Sequence, residues 1–285
     1  MGVPDFDPRI AGEDDIRRAC DARQPRSIVA YAGVSAAHAA AELAQEVPVA
    51  FEYNGIAHAV MLATPADLHD FALGFTVSEG LIDLRTDFYG LEVLVTEPGL
   101  TLAIDIAASA FARLKERRRT LAGRTGCGIC GTESLDQVLR PLPHLSSVGL
   151  RVTPAALERA YGGLAAVQPL QRATRAAHSA VWCGLDGAIG VAREDVGRHN
   201  ALDKLIGALL RDGTDVRSGF ALITSRASVE MVQKSATAGI ALLVAVSAPT
   251  ALAVRTAEAC GQTLVGLARG ASFSVYTFGE RIAGA

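Results

Sequence analysis

Between Val47 and Ala63, apolar and polar residues alternate on both sides of Asn54-Gly55. The alternation predicts two strands joined by a tight two-residue turn, since both turn positions tolerate positive φ. Thr64-Pro65-Ala66-Asp67 follows, offering an N-cap, a first-turn proline and an acid at the third helical position. Leu68, Phe71, Ala72 and Phe75 then recur at helical spacing, which predicts a helix ended by Gly80. Leu91 to Thr96 and Thr101 to Ile106 alternate around Pro98-Gly99 and predict a second hairpin. Residues 45–110 thus read as a small α+β domain, preceded by a loose N-terminal arm over 1–44.

From Phe111 the pattern breaks into the basic run Arg113, Lys115, Arg117, Arg118 and Arg119, then into the glycine-rich Gly123 to Gly131. Residues 111–140 read as a mobile connector, with a short helix from Thr132 to Arg140 before Pro141 and Pro143. Beyond it the pattern alternates. A helix follows Thr153-Pro154, strands are expected at His178–Cys183 and Ala188–Arg193, and a helix at His199–Arg211. Then come strand Phe220–Thr224, helix Ser228–Ala238, strand Ala241–Val246, helix Thr250–Cys260, and strands Thr263–Leu267 and Ser272–Thr277. That order predicts an α/β domain over 141–285, three-layered, with a mixed, partly parallel sheet.

Half of the 285 residues are hydrophobic, which supports a buried core and excludes disorder as the main state. The formal charge of −3 gives no global case for nucleic acid or a membrane surface as partner. Met1 to Arg26 has no apolar run of signal-peptide type, and Gly239 to Val254 is interrupted by Ser247, Pro249 and Thr250, short of the roughly 18 apolar residues of a span. The expectation is a cytoplasmic protein. In a reducing compartment the five cysteines stay thiols, so the close pair Cys127 and Cys130 carries the information, while Cys183 and Cys260 sit in apolar segments as buried filler.

Two thiols at this spacing reach one another, share a metal, or pass a sulfur between them. Gly126, Gly128 and Gly131 leave the backbone open to a partner, and Cys130 lies just ahead of the expected helix start with arginines upstream. Both surroundings favour the thiolate. A closed zinc site needs two further ligands, and the sequence offers no second C-x-x-C or H-x₃₋₅-H. A thioredoxin-like exchanger places its pair within a βαβ unit, not a connector. Zinc deamination requires H-x-E and a proline before the first cysteine; neither is present.

Ligands of open α/β sheets bind beyond the carboxyl ends of the strands, where helix N-termini face phosphates. Three strand ends here carry suitable groups: Ser225 and Arg226, Ser247 and Thr250, and Gly266 to Gly270 with Arg269. Each alone is explained by capping or turn chemistry; three in succession point to an anion site. Glu194 to Asn200, with Arg198 and His199, is dense in polar groups between two apolar elements and is a further candidate.

Val47–Pro65, Phe71–Gly80, Gly126–Gly131 (GCGICG), Glu194–Lys204 (EDVGRHNALDK), Ser225–Lys234 (SRASVEMVQK), Ser247–Val254 and Leu264–Gly270 together resemble the FdhD family, the formate dehydrogenase accessory sulfurtransferases. The resemblance implies a sulfurtransferase that takes persulfide sulfur from a cysteine desulfurase and delivers it to the molybdenum bis-guanine-dinucleotide cofactor of formate dehydrogenase. By motif position Cys127 is the persulfide carrier and Cys130 assists. The guanine-dinucleotide contact falls on Gly266, Leu267, Ala268, Arg269 and Gly270. The resemblance further implies a C-terminal cytidine-deaminase-like fold, a homodimer and no permanently bound metal. A cofactor-binding chaperone without catalysis is the rival reading, and a zinc-binding interaction module a third. Thr174-Arg175-Ala176-Ala177-His178 departs from the family, which commonly has glycine in a T-G-x-H-like stretch.

Overall fold

In the computed structural model the described residues are 21–96, 98–122, 141–146 and 149–284. Its first two strands are absent from the sequence reading: β1 (Arg23–Ala32) and β2 (Ser35–Ala44) pair antiparallel along their whole length. From Arg23 onward the expected loose arm is therefore a regular hairpin. Every β1 side chain is exposed, so no buried face imposed an alternation for the sequence to reveal.

The Asn54-Gly55 turn forms as expected, with φ of 47° and 80°, between β3 (Val47–Tyr53) and β4 (Ile56–Ala63). Asn54 also donates to the Ile106 carbonyl and accepts from its amide, at 3.0 and 2.8 Å. This fastens the turn to β6 of the second expected hairpin, β5 (Phe88–Thr96) and β6 (Gly99–Ile106). The four strands form one sheet, ordered β4-β3-β6-β5, with β3 and β6 parallel.

The helix on this sheet, α1 (Leu68–Ser78), begins later than the pattern suggested. Asp67 precedes it with a left-handed φ of 53°, and Thr64 is drawn into contacts with another part of the chain instead of capping. Phe71 and Phe75 meet Phe51 at ring-centroid distances of 5.0 and 4.2 Å. Burying each such ring contributes roughly 1.5–3 kcal/mol, enough to fix the helix on the sheet. Residues 108–122, read as connector, are instead helix α2 (Ala108–Ala122), which buries Ala110 and Leu114 one turn apart. Residues 123–140, with both thiols of the pair and the expected short helix, lie outside the described residues.

The remaining elements follow the predicted order, with one addition, the short helix α4 (Pro169–Thr174): α3 (Pro154–Gly163), β7 (His178–Gly184), β8 (Ile189–Asp195), α5 (Arg198–Arg211), β9 (Gly219–Ile223), α6 (Val229–Thr237), β10 (Leu242–Ala245), α7 (Ala251–Cys260), β11 (Thr263–Arg269) and β12 (Ser272–Thr277). They build a six-stranded mixed sheet ordered β12-β11-β10-β9-β7-β8. Strands β9, β10 and β11 are parallel neighbours, β7 and β12 run against them, and β8, antiparallel to β7, runs in their direction. β9 and β10 are fully buried apolar runs, as expected where a sheet is covered on both faces.

The two larger sheets are joined by α1 crossing α5. A Cβ on Gly74 would overlap the Asp203 carbonyl, and one on Gly207 would overlap that of Asp70, so the helices meet backbone to backbone. Around this crossing the buried charges are paired. Asp70 receives Arg193 at 2.7 Å and Arg211 at 2.5 Å, and Asp203 receives Lys234 at 3.0 Å and the Ser78 hydroxyl at 2.5 Å.

Candidate functional site

The register of the six-stranded sheet collects the predicted strand-end residues along one edge. Ala180 of β7 faces Ile223 of β9, and His178 faces Asp195, so the start of β7 and the end of β8 lie beside the carboxyl ends of the parallel strands. Backbone bonds stitch the loops there together. The Thr224 amide donates to Ser179, the Thr250 amide to Ala227 and the Leu267 amide to Ser247, at 3.0, 3.0 and 3.2 Å. Ser225, Arg226, Ser247, Thr250, Arg198, His199 and Gly266–Gly270 are thereby brought to a common edge.

Their individual situations differ. Ser225 is buried and donates to the Arg226 carbonyl at 3.0 Å, while the Arg226 side chain is exposed. Thr250 accepts from the Ala253 amide at 3.2 Å, an ordinary N-cap for α7. At Gly266 a Cβ would lie 2.8 Å from Pro249 Cδ and 3.0 Å from the Tyr276 ring, so glycine is required for the 247–250 loop to lie on β11. Between Gly266 and Arg269 two residues, Leu267 and Ala268, oppose the single Phe273 of β12: a β-bulge. Within it Leu267 adopts a left-handed φ of 56° and is 42% exposed. Backbone strain of this kind, on the order of 1–2 kcal/mol for a non-glycine residue, concentrates where loops are shaped for ligands.

The Glu194–Asn200 segment divides into two parts. Glu194 caps α4, accepting from the Leu170 and Gln171 amides at 2.8 Å. Asp195 is a buried hub: one carboxylate oxygen accepts from the Gly197 amide and Asn200, the other from the Thr64 amide, and Lys204 Nζ stands 2.6 Å away. Lys204, 0% exposed, also donates to the Thr64 carbonyl, and Asn200 to the Leu62 carbonyl, both at 2.8 Å. Much of the polar density that pointed to a site is thus consumed in holding the two sheets together. Arg198 and His199 are the exceptions, since Arg198 Nε and His199 Nε2 are buried atoms with no hydrogen-bond partner.

Three neighbours surround this pair: His178, which the sequence reads as a capping residue or a ligand contact, Ser228, which closes the Thr224–Ser228 strand-end segment, and Glu230, which sequence reasoning missed. His178 and His199 are both held below the usual imidazole range, first by burial and then by the Arg198 guanidinium; Asp195 opposes the shift at His178 and Glu230 at His199. Glu230 Oε2 lies 3.9 Å from His199 Nε2. Burial raises the Glu230 carboxyl, but the Ser228 hydroxyl and the backbone outweigh that and leave it lower than usual. The sequence signal for Glu230 was its place in the first turn of α6, two residues beyond Ser228.

Arg175, where the resemblance leads one to expect glycine, ends α4 with a left-handed φ of 58°. The departure is therefore a backbone one: the position favours a residue without Cβ. Cys183 and Cys260 are buried as expected, and burial pushes the Cys183 thiol up to about 12 and raises that of Cys260. Neither is in a nucleophilic state at neutral pH. Among the described residues no helix is long and apolar enough to cross a membrane.

Residues 44–283 match the sequence model of the FdhD/NarQ family. The chain is 54% identical over 242 residues to a sulfur carrier protein FdhD of Variovorax paradoxus, covering 85% of this chain and 87% of the relative. It is likewise 54% identical over 242 residues to a sulfur carrier protein FdhD of Cupriavidus necator, covering 85% and 83%. A crystal structure from Desulfotalea psychrophila, described as that of a candidate formate dehydrogenase accessory protein, superposes with a TM-score of 0.71 at 22% identity, over 92% of this chain and all of that one. At that identity the likeness speaks to the fold.

Proposed function

Because this chain belongs to the FdhD/NarQ family, we propose that it is a sulfur carrier in formate dehydrogenase maturation, a sulfurtransferase working through a cysteine persulfide. The Cys127 thiolate attacks the outer sulfur of a desulfurase persulfide. An S–S bond forms at Cys127 as the desulfurase cysteine leaves as thiolate. Cys130 assists release by attacking the Cys127 sulfur, so that a Cys127–Cys130 disulfide forms, the outer S–S bond breaks and the outer sulfur leaves at the sulfide level for the molybdenum bis-guanine-dinucleotide cofactor. The disulfide is reduced by a cellular dithiol before the next cycle. The cofactor is substrate here. In this reading it lies along the carboxyl edge with its guanine end at Gly266–Gly270, within a C-terminal domain of cytidine-deaminase-like layering, in a cytoplasmic homodimer.

The family match across 44–283, which spans the glycine-flanked C-x-x-C and every strand-end segment, carries this reading. The burial of Cys183 and Cys260 supports it by removing them as alternative carriers. Incubation with a cysteine desulfurase and cysteine is expected to add the mass of one sulfur, lost in Cys127→Ala. No gain, or a gain that survives the substitution, removes the carrier role. Formate dehydrogenase maturation left intact by the double Cys127, Cys130 substitution would favour a binding chaperone instead.

A further inference from the structure

The β1–β2 hairpin is a sheet of two strands that pair only with each other. β2 meets α4, and its Ala41 and Ala44 are half-buried; every other side chain of the two strands is exposed. An isolated two-stranded hairpin is at best marginally stable in water, so an arm standing out over its full length requires a second surface. Its composition agrees. Strand edges meant to stay in water carry charges or prolines that keep other strands away, yet from Ser27 to Ala41 there is no Asp, Glu, Lys, Arg or Pro.

Of the twelve exposed large apolar side chains among the described residues, five belong to this hairpin: Ile28, Val29, Tyr31, Val34 and Leu43. Val29 and Tyr31, 50% and 73% exposed, stand two apart in β1 and share one face, opposite His38 and Ala36 of β2. A matching pair lies on β4, an outer strand of the four-stranded sheet. There Val60 and Leu62 are 66% and 57% exposed, while their neighbours Ala59 and Met61 turn inward to the core beneath α1. Ala50 and Pro48 of β3 pair with Val60 and Leu62, so this part of the outer sheet face is an uncharged patch.

Size selects the occupant. One face of the arm, ten residues long and two strands wide, measures roughly 33 by 10 Å, which buries about 600 Å² counted on both surfaces. Docked one way on a different protein, it stays below the roughly 800 Å² of casual contacts. A reciprocal exchange between two copies doubles it to about 1,200 Å², where specific interfaces begin, and a two-fold axis covers both arms and both patches at once. We propose that two copies of this chain exchange arms, the Val29–Tyr31 face of each hairpin lying over Val60 and Leu62 of the other copy. This deepens the homodimer of the function proposed above and rests on that reading for the second copy, not for the face it uses.

The test is sedimentation velocity of the full chain at micromolar concentration, which should give the mass of two chains. Losing one central interface contact weakens association by about 30-fold, and the two-fold axis applies the loss twice, about 1,000-fold in all. The variant with Val29→Asp and Tyr31→Asp is therefore expected to sediment as a monomer, as is the variant with Val60→Lys and Leu62→Lys. All four side chains are exposed, and circular dichroism checks that each variant is folded. An equimolar mixture of the two should recover a dimer, in which one contact is unaltered and the other sets aspartates against lysines. Either variant remaining dimeric by itself overturns the exchange but leaves a homodimer through another face. A mixture that stays monomeric overturns it too, and an unsubstituted chain that is monomeric removes exchange and homodimer together. Persulfide loading of Cys127, measured in the same samples, reports on the carrier role separately.

Discussion

The crossing of α1 and α5 and the carboxyl edge of the six-stranded sheet just beyond it use the same residue types to opposite ends. At the crossing every named charge is answered: Asp70 by two arginines, Asp195 by Lys204 and three further donors, Asp203 by Lys234 and a hydroxyl. At the edge, within one turn of the same helix, Arg198 and His199 keep buried atoms unpartnered. Closed networks specify how two sheets fit, whereas an open one leaves polar atoms whose partner lies outside the network. The density of charged residues in a sequence does not distinguish these cases; the bookkeeping of partners does.

The sharpest way to break this comparison is Lys204→Met, which leaves the Asp195 carboxylate buried without its cation. A loss of about 3–5 kcal/mol is expected in urea unfolding, and a loss under about 1 kcal/mol would show that the network is not structural. Next come the caps. Thr250→Ala should cost about 1 kcal/mol, while Ser228→Ala, removing a hydroxyl that caps nothing, should stay within about 0.5 kcal/mol. Equal costs would remove the distinction between closed and open helix starts. Arg175→Gly should raise stability by about 0.5–1 kcal/mol by relieving the left-handed backbone, read as an upward shift in the urea midpoint.

The smallest effect is in pH. His178 and His199 are held below 6.5 in the folded chain by burial and by Arg198, so the unfolded chain takes up their protons first. Their contribution is fully present above pH 6.5 and is lost as pH falls from there through the folded values. Urea midpoints should decline over that window, and the decline should flatten in His178→Gln. An unchanged slope would mean that His178 is not held neutral.

Much of this was legible in the chain itself. Asn54-Gly55 between alternating runs located the first hairpin, and the β/α alternation after Thr153 gave nearly every later element, because these signals are local and backed by burial. The β1–β2 hairpin was not, since Ser35–Ala44 is alanine-rich and neither strand has a buried face to impose a period. Helix α2 was hidden by its basic run, although Ala110 and Leu114 at i, i+4 carried the signal. At the site, the strand-end residues were found because they follow strands. The division of Glu194–Asn200 into clamp and open pair was out of reach, because the partners that absorb Asp195 and Asn200, Thr64 and Leu62, come from more than 130 residues earlier in the chain.

That long-range clasp bears on how the molecule is put together during synthesis. Thr64 presents its amide, hydroxyl and carbonyl to Asp195, Val196 and Lys204, and it leaves the ribosome well before them. The four-stranded sheet can therefore stand ready as a template on which the later loop sets. A fragment beginning after α2 would carry Asp195, Asn200 and Lys204 but lack Thr64 and Leu62, the partners that hold them, so the fold of this loop belongs to the longer chain.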